Sequence, residues 1–375
     1  MGSLEIRPVH STGDLRRFLR LPYRLYRDEP NWVAPLRFER RQFLDRRKNP
    51  FFEHGRAEYF LALRDGRVVG RVSAQVDDNF QAFQENKWGW FGFFECENDP
   101  EAARALLDRA DQWLRGQGCD RMVGPADFTT NDECGVLLEG HDRTPLILSP
   151  WTHRYYPELL EGAGMAKAMD LLMWELHISG RDKVNPVIWK LADQVEARHG
   201  VVVRPFRKKD IESEISRFME VYNSAWERNW GFVPMTRPEF LAQAKDLKKI
   251  AHPALMHVAE VAGAPVGFVV ALPDVNVAAR ACKGRLLPFG WLRFLRAMKK
   301  VETIRVITLG ILPQWRRAGI EMLLMHQVIR RGLDAGFRAC EASWILEDNR
   351  DMLGPLEQLG HRPWRRYRIY EKALR

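Results

Sequence analysis

The chain has 375 residues, 46% of them hydrophobic and 29% charged, with a formal net charge of +9, the balance of a globular protein rather than a disordered one. At about 150 residues per domain this length predicts two domains, each large enough to bury a core. The longest apolar run, Val266–Leu272, is far short of a membrane span, and Met1–Thr12 lacks the charged start and apolar centre of a signal peptide, so a cytoplasmic protein is expected. Cys96, Cys119, Cys134, Cys282 and Cys340 are an odd number, widely spaced and without Cys-x-x-Cys, which predicts reduced thiols and no metal site. Basic clusters at Arg40-Arg41, Arg46-Arg47-Lys48, Lys299-Lys300 and Arg365-Arg366 are scattered and accompany no nucleic-acid motif. They read as solvated faces, and neither nucleic acid nor a membrane is expected as a partner.

In chain order, Leu4–Val9 reads as a strand, Asp14–Tyr26 as a helix, and Tyr59–Leu63 with Val68–Gln75 as a hairpin turned at Asp65-Gly66. Trp88–Phe94 is a further strand, followed by a helix over Pro100–Leu114 with Asp99 as its cap. Strands follow at Met122–Gly124 and Met169–His177, and between them Thr130-Asn131-Asp132-Glu133 reads as a capping box before another helix. The second half gives a strand at Val201–Arg204, a helix near Ile211–Trp226, a hairpin of Met256–Val261 with Val266–Leu272, strands at Thr303–Ile311 and Ala339–Leu346, and a last strand at Tyr367–Glu371. Hairpins first and a strand–helix–strand crossover afterwards fit an α+β sheet flanked by helices.

The chain also repeats itself. Ile6-Arg7-Pro8 and Val203-Arg204-Pro205 lie 197 positions apart, Asn31-Trp32 and Asn229-Trp230 lie 198 apart, and Gly66 and Gly70 precede Gly263 and Gly267 by 197. Leu160 and Gly164 precede Leu356 and Gly360 by 196, so a tandem duplication is predicted, with domains at 1–180 and 181–375. Gly118 and Gly336 are 218 apart, which places an extra segment in copy two around Val275–Lys300 and one in copy one around Asp127–Trp151.

The most informative stretch is Thr303 to Val328, where the strand runs through Leu312-Pro313-Gln314-Trp315-Arg316-Arg317-Ala318-Gly319 into a helix read from Ile320, Leu323, Leu324 and Val328. A helix start leaves backbone N–H groups free, and Gly319 lets the backbone approach a ligand closely. With Arg316 and Arg317 beside it, this end is a candidate cradle for a diphosphate. Arg316-Arg317-Ala318-Gly319-Ile320-Glu321 resembles the Gln/Arg-x-x-Gly-x-Gly/Ala motif of the GCN5-related N-acetyltransferases, departing from it at Glu321. The strand before it, the helix after it, the strand at Ala339–Leu346 and the segment opened by Asn349 follow that family's C-terminal half. The resemblance implies two tandem acetyltransferase-like domains, each a mixed, largely antiparallel sheet flanked by helices. It implies acetyl-CoA or a longer acyl-CoA as donor, held by Ile311, Arg316, Arg317, Ala318, Gly319, Ile320, Glu321 and Asn349.

Copy one has Glu95-Cys96-Glu97-Asn98-Asp99-Pro100-Glu101 at the matching place, four carboxylates and no glycine, and those charges are expected to repel a diphosphate. It is therefore expected to be a degenerate domain without cofactor. Trp226, Asn229 and Trp230, with Pro234, lie where the family's first helices line the acceptor pocket, but Asn31-Trp32 and Pro35 repeat the pattern in copy one, which favours a structural anchor. The tyrosine that often protonates the departing thiolate in this family is replaced by Leu356, and Thr303–Ile311 contains no carboxylate, so no catalytic residue is assigned and Glu341, Glu347, Asp348 and His326 are the candidates. Cys134 with His141 and His153 reads as a buried thiol rather than a nucleophile or metal site. Thr129–Gly135 and the run Tyr155–Leu160 resemble bacterial tandem acetyltransferase-like proteins of this length. The expected activity is transfer of an acyl group, acetyl by preference, from acyl-CoA to a small-molecule amine. The alternatives are a catalytically silent protein that binds CoA or an acyl-carrier protein, and an enzyme like the carrier-dependent N-acyl amino acid synthases. For the last, the basic and apolar insert Gly284–Arg296 would meet an acidic acyl-carrier protein or an acyl chain; as a plain structural element it would be a helical cover.

Overall fold

A computed structural model describes residues 2–178, 186–207, 210–358 and 362–374. They gather into two compact units, one of Met1–Leu171 with Ala279–Phe294 and Arg365–Arg375, the other of Leu172–Ala278 with Leu295–Trp364. The expected boundary at 180/181, and the repeat anchor Gly360, lie outside the described residues.

Copy one runs β1 (Leu4–Pro8), α1 (Thr12–Leu25), α2 (Arg37–Phe43), β2 (Gly55–Arg64), β3 (Arg67–Asp77), α3 (Asp78–Gln84), β4 (Trp88–Cys96), α4 (Pro100–Gly116), β5 (Arg121–Gly124), β6 (Val136–Glu139), α5 (Tyr156–Gly162) and β7 (Ala166–His177). Copy two continues with α6 (Pro186–His199), β8 (Val201–Pro205), α7 (Ile211–Ala225), α8 (Arg237–Leu247), β9 (Met256–Val261), β10 (Ala264–Pro273), α9 (Asn276–Cys282), α10 (Gly290–Met298), β11 (Thr303–Ile311), α11 (Ile320–Asp334), β12 (Ala339–Leu346), α12 (Arg350–Gln358) and β13 (Pro363–Ala373). The extra segment expected at Val275–Lys300 is helical, as α9 and α10.

Local chemistry sets these elements. Asp65 and Gly66 both have positive φ, +50° and +77°, the geometry that a two-residue hairpin loop between β2 and β3 requires. Asp99 caps α4 by accepting from the Ala102 N–H, with Pro100 at the first position, as its sequence predicts. The helix then buries Ala102, Ala103, Leu106, Leu107, Ala110 and Leu114 on one face of the first unit's sheet. The other face of that sheet carries α1 and the aromatic cluster of Phe18, Phe51, Tyr59, Phe93 and Phe128. In the second unit, α11 and α6 cover one face through Ile320, Leu323, Leu324 and Val328 with Ala192 and Val195, and α7 lies against β10 and β11.

Two expectations are corrected. Thr130-Asn131-Asp132-Glu133 caps no helix: Thr129 Oγ1 accepts from the Asn131 N–H at 3.1 Å, closing a turn, and the chain continues into strand β6. Here β6 pairs with β13, so sheet pairing outweighs the local helix signal. Second, the last strand does not stay with copy two. The strand order in the first unit is β1-β2-β3-β4-β5-β13-β7, and Tyr370 to Ala373 pair antiparallel with Gly124 to Arg121 of β5.

Polar groups hold that strand in place. Arg368 donates from Nε and Nη2 to the two carboxylate oxygens of Asp170 at 2.8 and 3.1 Å, and Lys167 lies 3.2 Å from the same carboxylate. Arg365, fully buried, donates to the carbonyls of Gly140 and Arg143, and the Tyr367 hydroxyl donates to the Pro150 carbonyl. Burial alone would raise the Asp170 carboxyl, but the bonds from Arg368 and Lys167 outweigh it and hold it below the usual carboxylate range. Asp170→Asn leaves a forked guanidinium half satisfied and is expected to cost about 3 kcal/mol of unfolding free energy at neutral pH. Because the native carboxyl is depressed, its advantage exists above the ordinary carboxylate pKa and is lost as pH falls through the lower native value. Denaturant titrations of both proteins against pH should show the difference shrinking in acid.

Candidate functional site

Strand β11 changes partner geometry half-way along. On the β10 side Thr308 faces Val270 and Val306 faces Ala271, so Ile307 is an extra residue bulged out of the ladder. On its other side β11 runs parallel to β12 from Thr303↔Ala339 to Val306↔Ala342, and beyond the bulge Thr308–Ile311 pair with none of Trp344–Leu346. The two strands part there. The edge so opened leads through a 3-10 turn at Pro313–Trp315 to Gly319, which stands at φ +79° as the cap of α11.

The side chains around this notch divide by face. Ile304, Val306, Leu309, Ile311 and Ile320 belong to the core beneath α11. Trp226, at the end of α7, closes over Gly310, where an added Cβ would stand 2.5 Å from the indole. Thr308 Oγ1 is buried and finds no hydrogen-bond partner among the described residues. A buried hydroxyl without a partner costs free energy unless a ligand or water completes it. At the root of the notch Arg305 and Glu341 face each other across the ladder at 3.8 Å, both almost fully buried.

The residues expected to hold the donor are placed as follows. Ile311 and Ile320 are buried, Ala318, Gly319 and Glu321 half-buried, and Arg316 and Arg317 exposed. Arg316 donates to the Ala225 carbonyl at 2.8 Å, tying the loop to the end of α7, and Arg317 lies 3.9 Å from Asp351. A Cβ on Gly319 would meet Val195 of α6 at 2.7 Å, so glycine is needed there for space as well as for φ. Helical bonding starts with the Met322 N–H onto the Gly319 carbonyl, so the preceding N–H groups stand at the positive end of α11. Asn349 is a cap: its side chain accepts from the Met352 N–H at 3.3 Å and its carbonyl from the Leu353 N–H.

Of the acceptor candidates, Trp226 borders the notch, the Asn229 N–H closes a turn onto the Trp226 carbonyl at 2.8 Å, and Trp230 is half-buried. Of the catalytic candidates, Glu341 is engaged by Arg305, His326 packs edge-on against Trp189 between α11 and α6, and Asp348 is exposed. Leu356 packs with Trp174, Ile345 and Leu353. Among the described residues no three ligating side chains gather as a metal site, and Cys134 is buried. Sequence reasoning missed Thr308 and the Arg305–Glu341 pair, although both polar residues interrupt an apolar strand, because only the bulge decides which face and which gap they meet.

The matching place in the first unit is filled. β4 pairs with β5 only from Trp88↔Arg121 to Trp90↔Val123, but Ala126 N–H then bonds the Phe91 carbonyl at 2.9 Å and Asp127 Oδ1 accepts from the Phe93 N–H at 3.0 Å. Gly92 has no room for a Cβ beside the Ala126 carbonyl, and the Cys96 N–H donates to the Tyr156 hydroxyl at 3.1 Å. The chain thus occupies its own notch. The four carboxylates of copy one are compensated rather than free: Glu97 pairs with Arg24 and Arg67, and Asp99 and Glu101 with Arg64. Glu95 lies 3.6 Å from Arg71 and accepts from the hydroxyls of Tyr26 and Tyr156 at 2.5 and 2.7 Å. Burial raises its carboxyl against the pull of Arg71 and the tyrosines. The row of like charges is therefore largely compensated within the fold.

Comparison with known proteins finds full-length relatives and shared folds. The chain is 35% identical to bacterial ceramide synthase of Caulobacter vibrioides, over 99% of this chain and 98% of that one, and 35% identical to protein YghO of Escherichia coli K12, over 98% and 95%. Among solved structures it resembles a tandem GNAT protein from the clavulanic acid biosynthesis pathway, with a TM-score of 0.59 at 15% identity, covering 100% of this chain and 99% of that chain. The chain belongs to the same family as these two full-length relatives, and it has the tandem GNAT fold. A GCN5-related N-acetyltransferase from Sphaerobacter thermophilus also shares the fold, with a TM-score of 0.54 at 12% identity over 99% and 96% of the two chains. No family model matches. Among the described residues no helix is long and apolar enough to cross a membrane.

The Arg316–Gly319 loop carries backbone strain of its own. Arg317 has φ +64°, a left-handed conformation that costs a side-chain-bearing residue about 1 kcal/mol. Arg317→Gly is therefore expected to keep or slightly raise thermal stability, and Arg317→Val to lower it by more than about 1 kcal/mol. Melting curves of the two variants give the answer without any ligand.

Proposed function

We propose that the protein is an acyl-CoA-dependent N-acyltransferase whose acceptor is a long-chain amino alcohol. The observation that carries the reading is the notch where β11 leaves β12, with its unpartnered Thr308 hydroxyl, opening onto the Gly319 start of α11. A pantetheine arm laid along the unpaired edge would bond its amides to backbone groups of Thr308–Ile311, and the diphosphate would meet the α11 N–H groups. The acceptor class is drawn from the full-length relative named a ceramide synthase: a ceramide is a long-chain amino alcohol carrying a fatty acyl group on nitrogen.

In this reading the neutral amine attacks the thioester carbonyl, the C–N bond forms, the C–S bond breaks, and the amine proton passes to the departing thiolate. The chain's part is placement and polarisation. The buried Thr308 hydroxyl and N–H groups beyond the bulge would donate to the developing oxyanion, with Trp226, packed on Gly310, shielding that face. Because Glu341 is engaged by Arg305, no proton is routed through it. Copy one, its notch taken by Ala126 and Asp127, binds no donor.

Calorimetry is expected to show one CoA per chain, weakened at least about tenfold by Gly319→Asp, since a side chain there collides with Val195 and its charge opposes the diphosphate. Glu321→Gly, which removes a carboxylate from the first turn, should tighten binding. Mass spectrometry of hexadecanoyl-CoA incubated with a long-chain amino alcohol should find the amide, and Thr308→Val should lower its rate by about ten- to a hundredfold. Two equivalent CoA sites, or amide formed only with short polar amines, would overturn the reading.

A further inference from the structure

Exposed large apolar side chains on the described surface are concentrated rather than scattered. Five of eleven, Leu287, Phe289, Trp291, Leu292 and Leu295, fall within nine residues at and before α10. Leu287 is 79% exposed, Phe289 66% and Leu295 54%. On a helix turning about 100° per residue, Trp291, Leu295 and Leu292 span one sector of about 100°. That sector faces solvent, whereas Gly290, Phe294 and Ala297, turned away from it, are more covered, as is Met298 at its border in the last turn. The helix is amphipathic with an apolar edge left in water.

Charge accompanies it. From Lys283 to Lys300 the sequence holds six basic residues, Lys283, Arg285, Arg293, Arg296, Lys299 and Lys300, and no acidic one. All six are exposed, and none forms an ion pair among the described residues. Arg293 and Arg296 continue the exposed side of α10 beyond Leu292, and Lys299 falls between Leu295 and Leu292.

We propose that Leu287–Lys300 is a membrane-docking surface that lies in the interface of an anionic lipid bilayer. Aromatic and leucine side chains enter the boundary between headgroups and acyl chains while the cations meet lipid phosphates. An acidic carrier protein matches the cations alone and leaves Leu287 and Phe289 in water, so the bilayer accounts for both features. That no helix among the described residues is long and apolar enough to cross a membrane does not bear on this contact. Vesicle binding requires no turnover, so the inference does not depend on the acyltransferase reading.

The test is flotation of the full-length protein with vesicles of phosphatidylcholine, alone or mixed with phosphatidylglycerol. The expected result is flotation with the mixed vesicles, weakened by salt, with at least about tenfold less bound after combined Trp291→Glu and Leu295→Glu, and also after Arg293→Glu with Arg296→Glu. Leu287→Ser with Phe289→Ser, in the loop before the helix, gives the same readout without altering α10. No flotation of the wild type, or equal flotation of the loop variant, overturns the proposal. Retention on an immobilised acidic acyl-carrier protein, without flotation and lost in these variants, would assign the surface to a carrier instead.

Discussion

The parting of β11 from β12 is the constraint on which the rest of the second unit depends. A parallel pair in register to its end would bury the backbone groups of Thr308–Ile311 in a ladder, leaving no edge to offer a ligand. The bulge at Ile307 prevents this by shifting the alternation of β11, so that Leu309 and Ile311 still reach the core beneath α11 while Thr308 and Gly310 turn to the opposite face. The core thereby stays packed through an irregularity that frees the strand edge. Gly319 completes the arrangement, because the turn into α11 needs a positive φ and a backbone close to Val195.

The first unit shows what happens to the same architecture when the edge is not kept open. Its β4 also leaves β5 early, but the chain after β5 turns back and uses the freed groups: Ala126 bonds Phe91 and the Asp127 carboxylate takes the Phe93 N–H. Arg40 pairs with both Asp127 and Glu133, and burial with the nearby Glu133 charge pushes the Asp127 carboxyl up to about 6 despite Arg40. A stretch that would be a cleft has become core, satisfied within one chain. The duplication therefore preserves a fold while changing what its central notch contains.

The placement of β13 in the first unit and the apolar edge of α10 add to this picture. The strand is held in the first unit by a bidentate guanidinium–carboxylate pair and three bonds from buried side chains to carbonyls, interactions whose directionality fixes register. The apolar edge of α10 is the opposite kind of feature, large in area and without direction, suited to a fluid surface rather than a shaped partner.

Much was legible in the sequence. The hairpins, the helix capped by Asp99, β11 and β12 to the residue, and Gly319 at the start of α11 follow from local pattern, since alternation, capping chemistry and a glycine at positive φ are properties of a few neighbouring residues. The duplication was legible because its anchors recur at nearly constant spacing. Tertiary structure alone decided the rest. That Thr130–Glu133 leads to a strand, that the last strand joins the first unit, that Arg305 engages Glu341, and that Asp127 plugs the notch of copy one depend on partners 34 or more residues away in the sequence, as in the Phe93–Asp127 bond. The four carboxylates of copy one make the same point: they are a row of like charges in the sequence, and become ion pairs only when folding brings Arg24, Arg64, Arg67 and Arg71 against them.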